Sequence, residues 1–270
     1  MALSETAIKI AVVFAFISVC SPFSNWLIGP VKAQDAAAQA NNPLADVRAF
    51  NIQNYYTPSF TGSGAFPANT SWLRYAQPVG TPVGNFLVRA SLPFRSVKSS
   101  AVSRTFGMGD FNIFAAYSLD TGAPGVTAGV GPLLVVPTAT EDVTGTGKWQ
   151  AGAAAVYFNA KSKTFQWGGL LTWQTAFAGP KGRDHTNIIA AQPFGFLQLG
   201  DGLYTGMAPT WAFDIQNDRY NVPLGLRLGK VFKRGKTVFN FFVEPQYSVL
   251  TKGAGQPEFQ IYMALNMQFY

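Results

Sequence analysis

Apolar and polar residues alternate one by one along most of the chain after residue 47. The alternation is strictest at the C-terminus, where one face carries Phe259, Ile261, Met263, Leu265, Met267 and Phe269. The other face of the same segment carries Gln260, Tyr262, Ala264, Asn266 and Gln268. Because side chains of a β-strand point alternately to opposite sides, this pattern predicts a strand with one apolar and one polar face.

The same period of two recurs upstream and predicts an all-β chain. We expect twelve strands, at residues 48–58, 71–79, 85–97, 108–119, 125–137, 148–159, 164–178, 186–199, 202–216, 219–233, 236–251 and 257–270. An even number is typical of single-chain bacterial barrels. Proline cannot donate to a strand ladder, so we expect local bulges at Pro132, Pro193, Pro209, Pro223 and Pro245.

The composition of the two faces favours a membrane barrel over a soluble sandwich. The apolar face carries large aromatic residues at the strand ends, as interfacial girdles do, and segments of about ten residues suit a tilted membrane crossing. The polar face is rich in Gly, Ala, Ser, Thr, Asn and Gln, which suits a wet or loosely filled lumen. The sequence therefore predicts a single antiparallel transmembrane β-barrel over residues 48–270.

The lengths of the connections predict the orientation of the barrel. Short connections are expected at 80–84, 120–125, 160–163, 200–202 and 234–236. Longer ones are expected at 59–70, 98–107, 138–147 and 179–185, and two further links on that side, near 217–218 and at 252–256, are short. Because short turns of such barrels face the periplasm and long loops face outside, we expect both termini in the periplasm.

The N-terminus has the features of an export signal. Lys9 precedes an apolar run from Ile10 to Val19, which has the length of a signal-peptide core. Small residues before Gln34 predict cleavage after Ala33, so that residues 1–33 are a signal peptide. Cleavage after Ala40 and an uncleaved anchor helix are the alternatives. Residues 34–47, rich in Ala, Gln and Asn, are expected to form a flexible periplasmic lead-in.

Composition excludes several classes of protein and indicates which partners to expect. With 48% hydrophobic and 12% charged residues the chain is not disordered, and no later apolar run is long enough for a spanning helix. A net charge of +7 can indicate nucleic acid, but an exported apolar chain rarely meets it. We expect as partners outer-membrane lipids, lipopolysaccharide phosphates near basic loop residues, the barrel-assembly machinery and small-molecule solutes, and no nucleic acid.

Side chains that could perform catalysis are scarce. His185 is the single histidine, and it lies in a loop with no serine near it in sequence, so a Ser–His lipid hydrolase is only the third hypothesis. Cys20, the single cysteine, falls within the predicted signal peptide, and lipidation there is a minor alternative. We expect no catalytic residue, no metal site and no cofactor.

Side chains on the polar phase of the strands are candidates for solute selectivity in the lumen. The candidates are Arg89, Asp110, Asn112, Gln166, Gln174, Asp214, Arg227, Glu244 and Gln246. The alternative is that these charges brace the wall, with Arg227 paired to Glu244 and Arg89 paired to Asp110. Four phenylalanines are also expected to point inward: Phe114, Phe194, Phe196 and Phe242.

Short motifs in a fixed order give the chain a family resemblance. In sequence order they are Asn42-Pro43-Leu44-Ala45-Asp46, Gln53-Asn54, Gln77-Pro78-Val79, Gly109-Asp110, Gly131-Pro132, Pro137-Thr138-Ala139-Thr140, Gly147-Lys148-Trp149, Gln192-Pro193-Phe194 and Val222-Pro223. Over residues 42–270 the chain resembles the bacterial outer-membrane family labelled "MetA-pathway of phenol degradation", whose members are often mislabelled neuromedin U. The resemblance implies an outer-membrane barrel with a transport role. One departure is the last residue, because Phe269, the expected insertion anchor, is followed by Tyr270.

These features predict a channel for passive passage of small solutes across the outer membrane of a Gram-negative bacterium. The inward phenylalanines favour small apolar or aromatic solutes. Twelve strands lie between filled eight-stranded barrels and open sixteen-stranded porins, so the lumen is expected to be narrow, or blocked by side chains or by residues 34–47. The alternative function is a non-conducting barrel with a structural or lipid-interacting role.

Overall fold

The computed structural model describes residues 39–62, 66–98, 100 and 103–270. The predicted signal peptide, both of its features Lys9 and Cys20, and the predicted cleavage site after Ala33 lie outside the described residues. Among the described residues, no helix is long and apolar enough to cross a bilayer.

Fifteen strand segments account for nearly all of the chain after residue 47. They are β1 (Arg48–Phe60), β2 (Ala68–Thr81), β3 (Gly84–Lys98), β4 (Arg104–Met108), β5 (Phe111–Leu119), β6 (Val126–Val136), β7 (Trp149–Asn159), β8 (Phe165–Ala178), β9 (Asn187–Gly200), β10 (Leu203–Met207), β11 (Trp211–Asp214), β12 (Arg219–Gly225), β13 (Arg227–Arg234), β14 (Thr237–Lys252) and β15 (Pro257–Phe269). Three crossings are interrupted, so that β4 with β5, β10 with β11, and β12 with β13 each form one strand of the barrel. The segments thus correspond to the twelve predicted strands.

The sheet closes on itself into a twelve-stranded antiparallel barrel. Each strand pairs with its neighbours in sequence, and the last strand β15 pairs with both β14 and the first strand β1. At the seam, Phe269 lies opposite Arg48 on one side and opposite Thr237 on the other. Closure leaves no free edge, which is the condition for strands to cross a bilayer with every backbone polar group paired. The predicted fold class is confirmed.

The alternation of side chains places the apolar face outside and the polar face in the lumen. In β8, Trp167 and Leu171 are 47% and 50% exposed, whereas Gln166 is fully buried. Residues of β14 and β15 alternate in the same sense, with Phe241 exposed and Asn240 buried. An outer surface of this composition is one that lipid, rather than water, solvates.

The longest connections lie at one end of the barrel, as the sequence predicts, although the connections at residues 215–218 and 253–256 of that end are also short. At the other end the strands are joined by short turns, at residues 82–83, 120–125, 160–164, 201–202 and 235–236. The C-terminus lies at this end, since the Tyr270 amide donates to the carbonyl of Lys236. The tightness of the turns requires glycine at position 202, where φ is +74° and a Cβ atom would lie 2.1 Å from the carbonyl oxygen of Val231.

The wall is irregular where prolines of neighbouring strands meet. Pairing of β10 with β9 stops at Met207 and resumes in β11 at Trp211. In the continuing register Pro209 lies opposite Pro193, and neither residue has an N–H to donate. Pro223 follows a register shift between β12 and β14. A register shift thus accompanies Pro223 and a break in pairing accompanies Pro209. The bulges expected at the other three prolines are not found, because Pro132, Pro193 and Pro245 pair without a register shift.

Candidate functional site: the barrel lumen

An aromatic cluster fills one side of the lumen. Its members are Phe158, Phe194, Phe196, Tyr204, Phe242 and Tyr262, all at most 8% exposed. Phe196 meets Tyr204 edge-on at 5.7 Å, and Phe242 meets Tyr262 edge-on at 5.0 Å. Phe114 is buried on another side, among aliphatic residues of β3 and β6. All four phenylalanines expected to point inward do so.

Arg227 and Glu244 form the ion pair that the hairpin pattern suggests. The Nε atom of Arg227 donates to Oε2 of Glu244 at 2.7 Å, and both side chains are almost completely buried. Glu244 also accepts from the backbone N–H of Ala208 and, at 2.8 Å, from Nε2 of Gln246. The Arg227 guanidinium lies 3.6 Å from the centre of the Phe242 ring. The charges of this pair are thus compensated within the wall.

Amide side chains form hydrogen-bonded chains across neighbouring strands. Gln260 donates to Gln246 at 2.6 Å, and Gln198 donates to Gln166 at 2.6 Å. Gln174 donates to Oε1 of Gln150 at 2.9 Å. The three glutamines singled out in the sequence, Gln166, Gln174 and Gln246, therefore lie in the lumen and are engaged with their neighbours.

The expected pairing of Arg89 with Asp110 is not found. The register places Arg89 opposite Phe114, and its guanidinium lies 4.4 Å from the centre of that ring. Asp110 instead accepts from the backbone N–H of Thr146 at 2.6 Å and from its hydroxyl at 2.7 Å. In the same register Asp110 lies opposite Pro93. Pro93 is four residues from Arg89 along β3, so Asp110 and Arg89 are about 13 Å apart. Asp110 holds the 137–148 loop.

Asn112 and Asp214, the two remaining selectivity candidates, lie away from the Arg227–Glu244 ion pair. Asn112 lies opposite Ser91, and its Oδ1 atom is buried without a hydrogen-bond partner among the described residues. Asp214 is the last residue of β11 and accepts from the backbone and side-chain nitrogens of Asn217 at 3.2 and 2.7 Å. Asp214 thus stabilises the connection to β12 at the end of the barrel.

The segment before β1 enters the lumen. Ala40 packs in the aromatic cluster and Leu44 in the aliphatic one, at 6% and 7% exposure. Asn41 accepts from Nδ2 of Asn240 at 2.9 Å, and Asn42 accepts from Thr127 at 3.2 Å. Residues 39–47 therefore lie inside the barrel wall, where the sequence suggested a flexible periplasmic lead-in. We call them the lumen segment.

A cavity of about 120 Å³ remains beside the lumen segment. Aromatic residues line one part of it, namely Phe194, Phe196, Phe242 and Tyr262. Polar and basic residues line another part, namely Asn51, Gln53, Arg74, Arg89, Asn266 and Gln268. Arg74 is not among the lumen candidates named from the sequence, although the alternation of β2 marks it as inward-facing. Arg74 lies between the outward-facing Leu73 and Tyr75, and so on the inward phase.

The single histidine and the C-terminal phenylalanine lie away from the cavity. His185 is exposed, in the connection between β8 and β9. Among the described residues there is no group of three or more His, Cys, Asp or Glu side chains placed to hold a metal ion. Phe269 ends β15, in phase with the outward apolar face and 37% exposed.

Comparison with known proteins shows the fold. No protein-family model matches the chain, and no curated protein matches it either. Among solved structures it is similar to the COG4313 outer membrane channel from Pseudomonas putida F1, with a TM-score of 0.61 and 14% identity over 91% of this chain and 98% of that one. It is also similar to the NanC porin, with a TM-score of 0.52 and 9% identity over 82% of this chain and 99% of that one. The chain has the fold of outer-membrane barrels.

Proposed function

We propose that this protein is a passive channel for small solutes in the outer membrane of a Gram-negative bacterium. The observation that carries the proposal is a closed barrel with a lipid-suited outer face around a lumen that contains a cavity. The shared fold with an outer membrane channel supports it. The motifs along residues 42–270 support the finer assignment to the phenol-degradation MetA family.

The lining of the cavity supports small apolar or aromatic solutes. Phe194, Phe196 and Phe242 line the cavity with rings that are at most 8% exposed, and contacts with such rings favour aromatic partners beyond the buried area. Among the amides that line the cavity, Gln53 donates to Asn266 at 3.3 Å and Gln192 donates to the carbonyl of Ala208 at 3.0 Å, which holds both side chains against the wall.

The charges in the lumen support a preference for anions. Arg227 is neutralised by Glu244, and Asp110 and Asp214 are engaged with loops. Arg74 and Arg89 have no carboxylate within 4 Å in the described part of the chain. We infer that these two arginines, rather than the Arg227 pair, set the field that a permeating ion meets.

The orientation follows from the connections. Short turns and the C-terminus share one end, which we place in the periplasm, and the longer loops then face outside. Basic residues of the outer rim, such as Lys252, would meet lipopolysaccharide phosphates. Phe269 would serve the barrel-assembly machinery as the insertion anchor, and residues 1–33 would be removed as a signal peptide.

Single-channel conductance in a planar bilayer tests the proposal. The protein purified from outer membranes should give discrete steps, and a potassium chloride gradient should give a reversal potential of the sign for anion selectivity. A correctly folded barrel that stays silent under all voltages would overturn the channel function. Heat-dependent mobility on a gel verifies folding in the same sample.

The lumen segment favours the alternative of a non-conducting barrel. With Ala40 and Leu44 buried against the wall, the segment narrows the lumen. Silence of the native chain together with conduction after removal of this segment would support a closed resting state. A lipid hydrolase has no such support, and unchanged hydrolase activity in His185→Ala would remove that hypothesis.

A further inference from the structure

Two arginines of adjacent strands face the cavity with no carboxylate within 4 Å among the residues that the structure describes. The β2–β3 register sets Ala76 opposite Arg89 and Arg74 opposite Ser91. Arg74 and Arg89 are thus diagonal neighbours on the inward face, with Cβ atoms about 7 Å apart. Trp72 lies 4.8 Å from the Arg74 guanidinium and Phe114 lies 4.4 Å from that of Arg89. The rings hold both guanidinium groups without neutralising them.

Around the same cavity, several buried hydrogen-bonding atoms have no partner in the described part of the chain. Within the described residues, Nε of Arg74, Nε of Arg89 and Nδ2 of Asn41 are buried and make no hydrogen bond. All three are donors, and all three residues line the cavity. One acceptor atom, Oε1 of Gln53, is also buried without a hydrogen-bond partner among the described residues. Leaving buried charged donors unpaired is costly, so an acceptor-only group is the complement that this set requires.

The opposite lining of the cavity defines the rest of the ligand. Phe194, Phe196 and Phe242 form an aromatic side of the cavity, and Arg227, which lines the cavity beside them, already has its charge compensated by Glu244. A planar carboxylate matches the geometry of a guanidinium, and an aromatic body matches the ring wall. The ligand that fits both sides of the cavity therefore carries a carboxylate and an aromatic ring.

We propose that Arg74 and Arg89 bind the carboxylate of a small aromatic monocarboxylic acid whose ring packs against the phenylalanine wall. The inference rests on the proposed channel function and names its solute class. Arg95 provides a matched control. It lies in β3 on the same inward face, its Nε atom is also buried without a partner in the described residues, and it does not line the cavity.

Isothermal titration calorimetry with benzoate tests the site on the purified protein in detergent, with titration into protein-free micelles subtracted. Benzoate should bind at one site per chain. Arg74→Gln and Arg89→Gln should each weaken binding by about 10- to 100-fold, as expected for loss of a charge-assisted hydrogen bond. Arg95→Gln should leave the affinity unchanged. The Arg89→Lys variant should bind benzoate more tightly than Arg89→Gln, because lysine keeps the positive charge although it lacks the two parallel N–H donors of a guanidinium.

Three results would overturn the site. Benzyl alcohol binding as tightly as benzoate would show that the ring wall alone holds the ligand. If Arg95→Gln weakened benzoate binding as much as Arg74→Gln does, the affinity would come from the overall positive potential of the lumen and not from a defined site. Chloride competing as strongly as benzoate at equal ionic strength would show an unspecific anion site. Variants that fail the gel test of folding are replaced by the lysine variants.

The same preparation separates this inference from the channel function. Discrete conductance steps without benzoate binding would leave the channel and remove the site. Benzoate binding by a barrel that stays silent would leave the site and remove passive conduction. Benzoate binding together with partial block of the current by benzoate, lost in Arg89→Gln, would support both.

Discussion

Nε of Arg227 lies 2.7 Å from Oε2 of Glu244 inside the barrel, and Glu244 is completely buried. The pair joins β13 to β14, while Ala208 of the neighbouring strand donates its backbone N–H to the same carboxylate. This carboxylate therefore links three consecutive strands beside the irregular part of the wall around Pro209. We infer that the pair compensates for the ladder hydrogen bonds that the prolines remove.

Replacing Glu244 by Gln should destabilise the barrel strongly. The substitution leaves the Arg227 guanidinium buried without its counter-charge, which typically costs about 3–5 kcal/mol. Denaturant unfolding in lipid vesicles measures the loss. The double variant Arg227→Met/Glu244→Leu should recover much of it, because no buried charge remains. A single variant as stable as the native protein would contradict the bracing role.

Releasing the lumen segment should raise conductance. Leu44→Asp places a charge at a position that is 7% exposed between barrel wall and segment, so the segment should leave the wall. Larger single-channel steps in a planar bilayer are expected. Asp46→Asn serves as control, because Asp46 is exposed in the same segment. Conductance steps of the same size in the native protein, Leu44→Asp and Asp46→Asn would mean that residues 39–47 do not restrict the path of ions through the lumen.

Anion preference should depend on Arg74 and Arg89. Each glutamine substitution should move the reversal potential in a potassium chloride gradient towards zero, and the double variant should abolish the preference. Lys252→Gln is the control. Its ammonium lies at the exposed end of β14, 2.6 Å from Asp218, where salt screens it. If the reversal potential changed in Lys252→Gln and not in the arginine variants, the residues that select anions would lie at the rim of the barrel.

A charge on the outer face should be poorly tolerated. Leu171 is 50% exposed in the middle of β8, and Leu171→Arg should lower the free energy of unfolding in lipid by about 2–4 kcal/mol if it faces the bilayer midplane. Thr172→Arg is the matched variant, because the neighbouring residue faces the lumen. Equal stability of the two variants would argue against the assignment of the faces.

Local patterns predicted the strands and one contact of the site. Alternation depends only on neighbouring residues, so strand positions, facing and the inward phenylalanines could be deduced from the sequence. Arg227 and Glu244 belong to one hairpin, whose short turn defines the register between them. Their pairing was therefore accessible before the structure. The distance between Arg89 and Asp110 was not, because the connection between β3 and β4 does not reveal the register of β3 with β5.

The twelve amphipathic strands, their inward and outward faces and the short turns at one end follow from local sequence, because each depends on residues close together along the chain. Tertiary structure decided where the lumen segment lies and that Arg74 and Arg89 meet the phenylalanines of β9 and β14 around one cavity. Those contacts join strands far apart in sequence. Only closure of the barrel, which pairs β15 with β1, sets the distances between them.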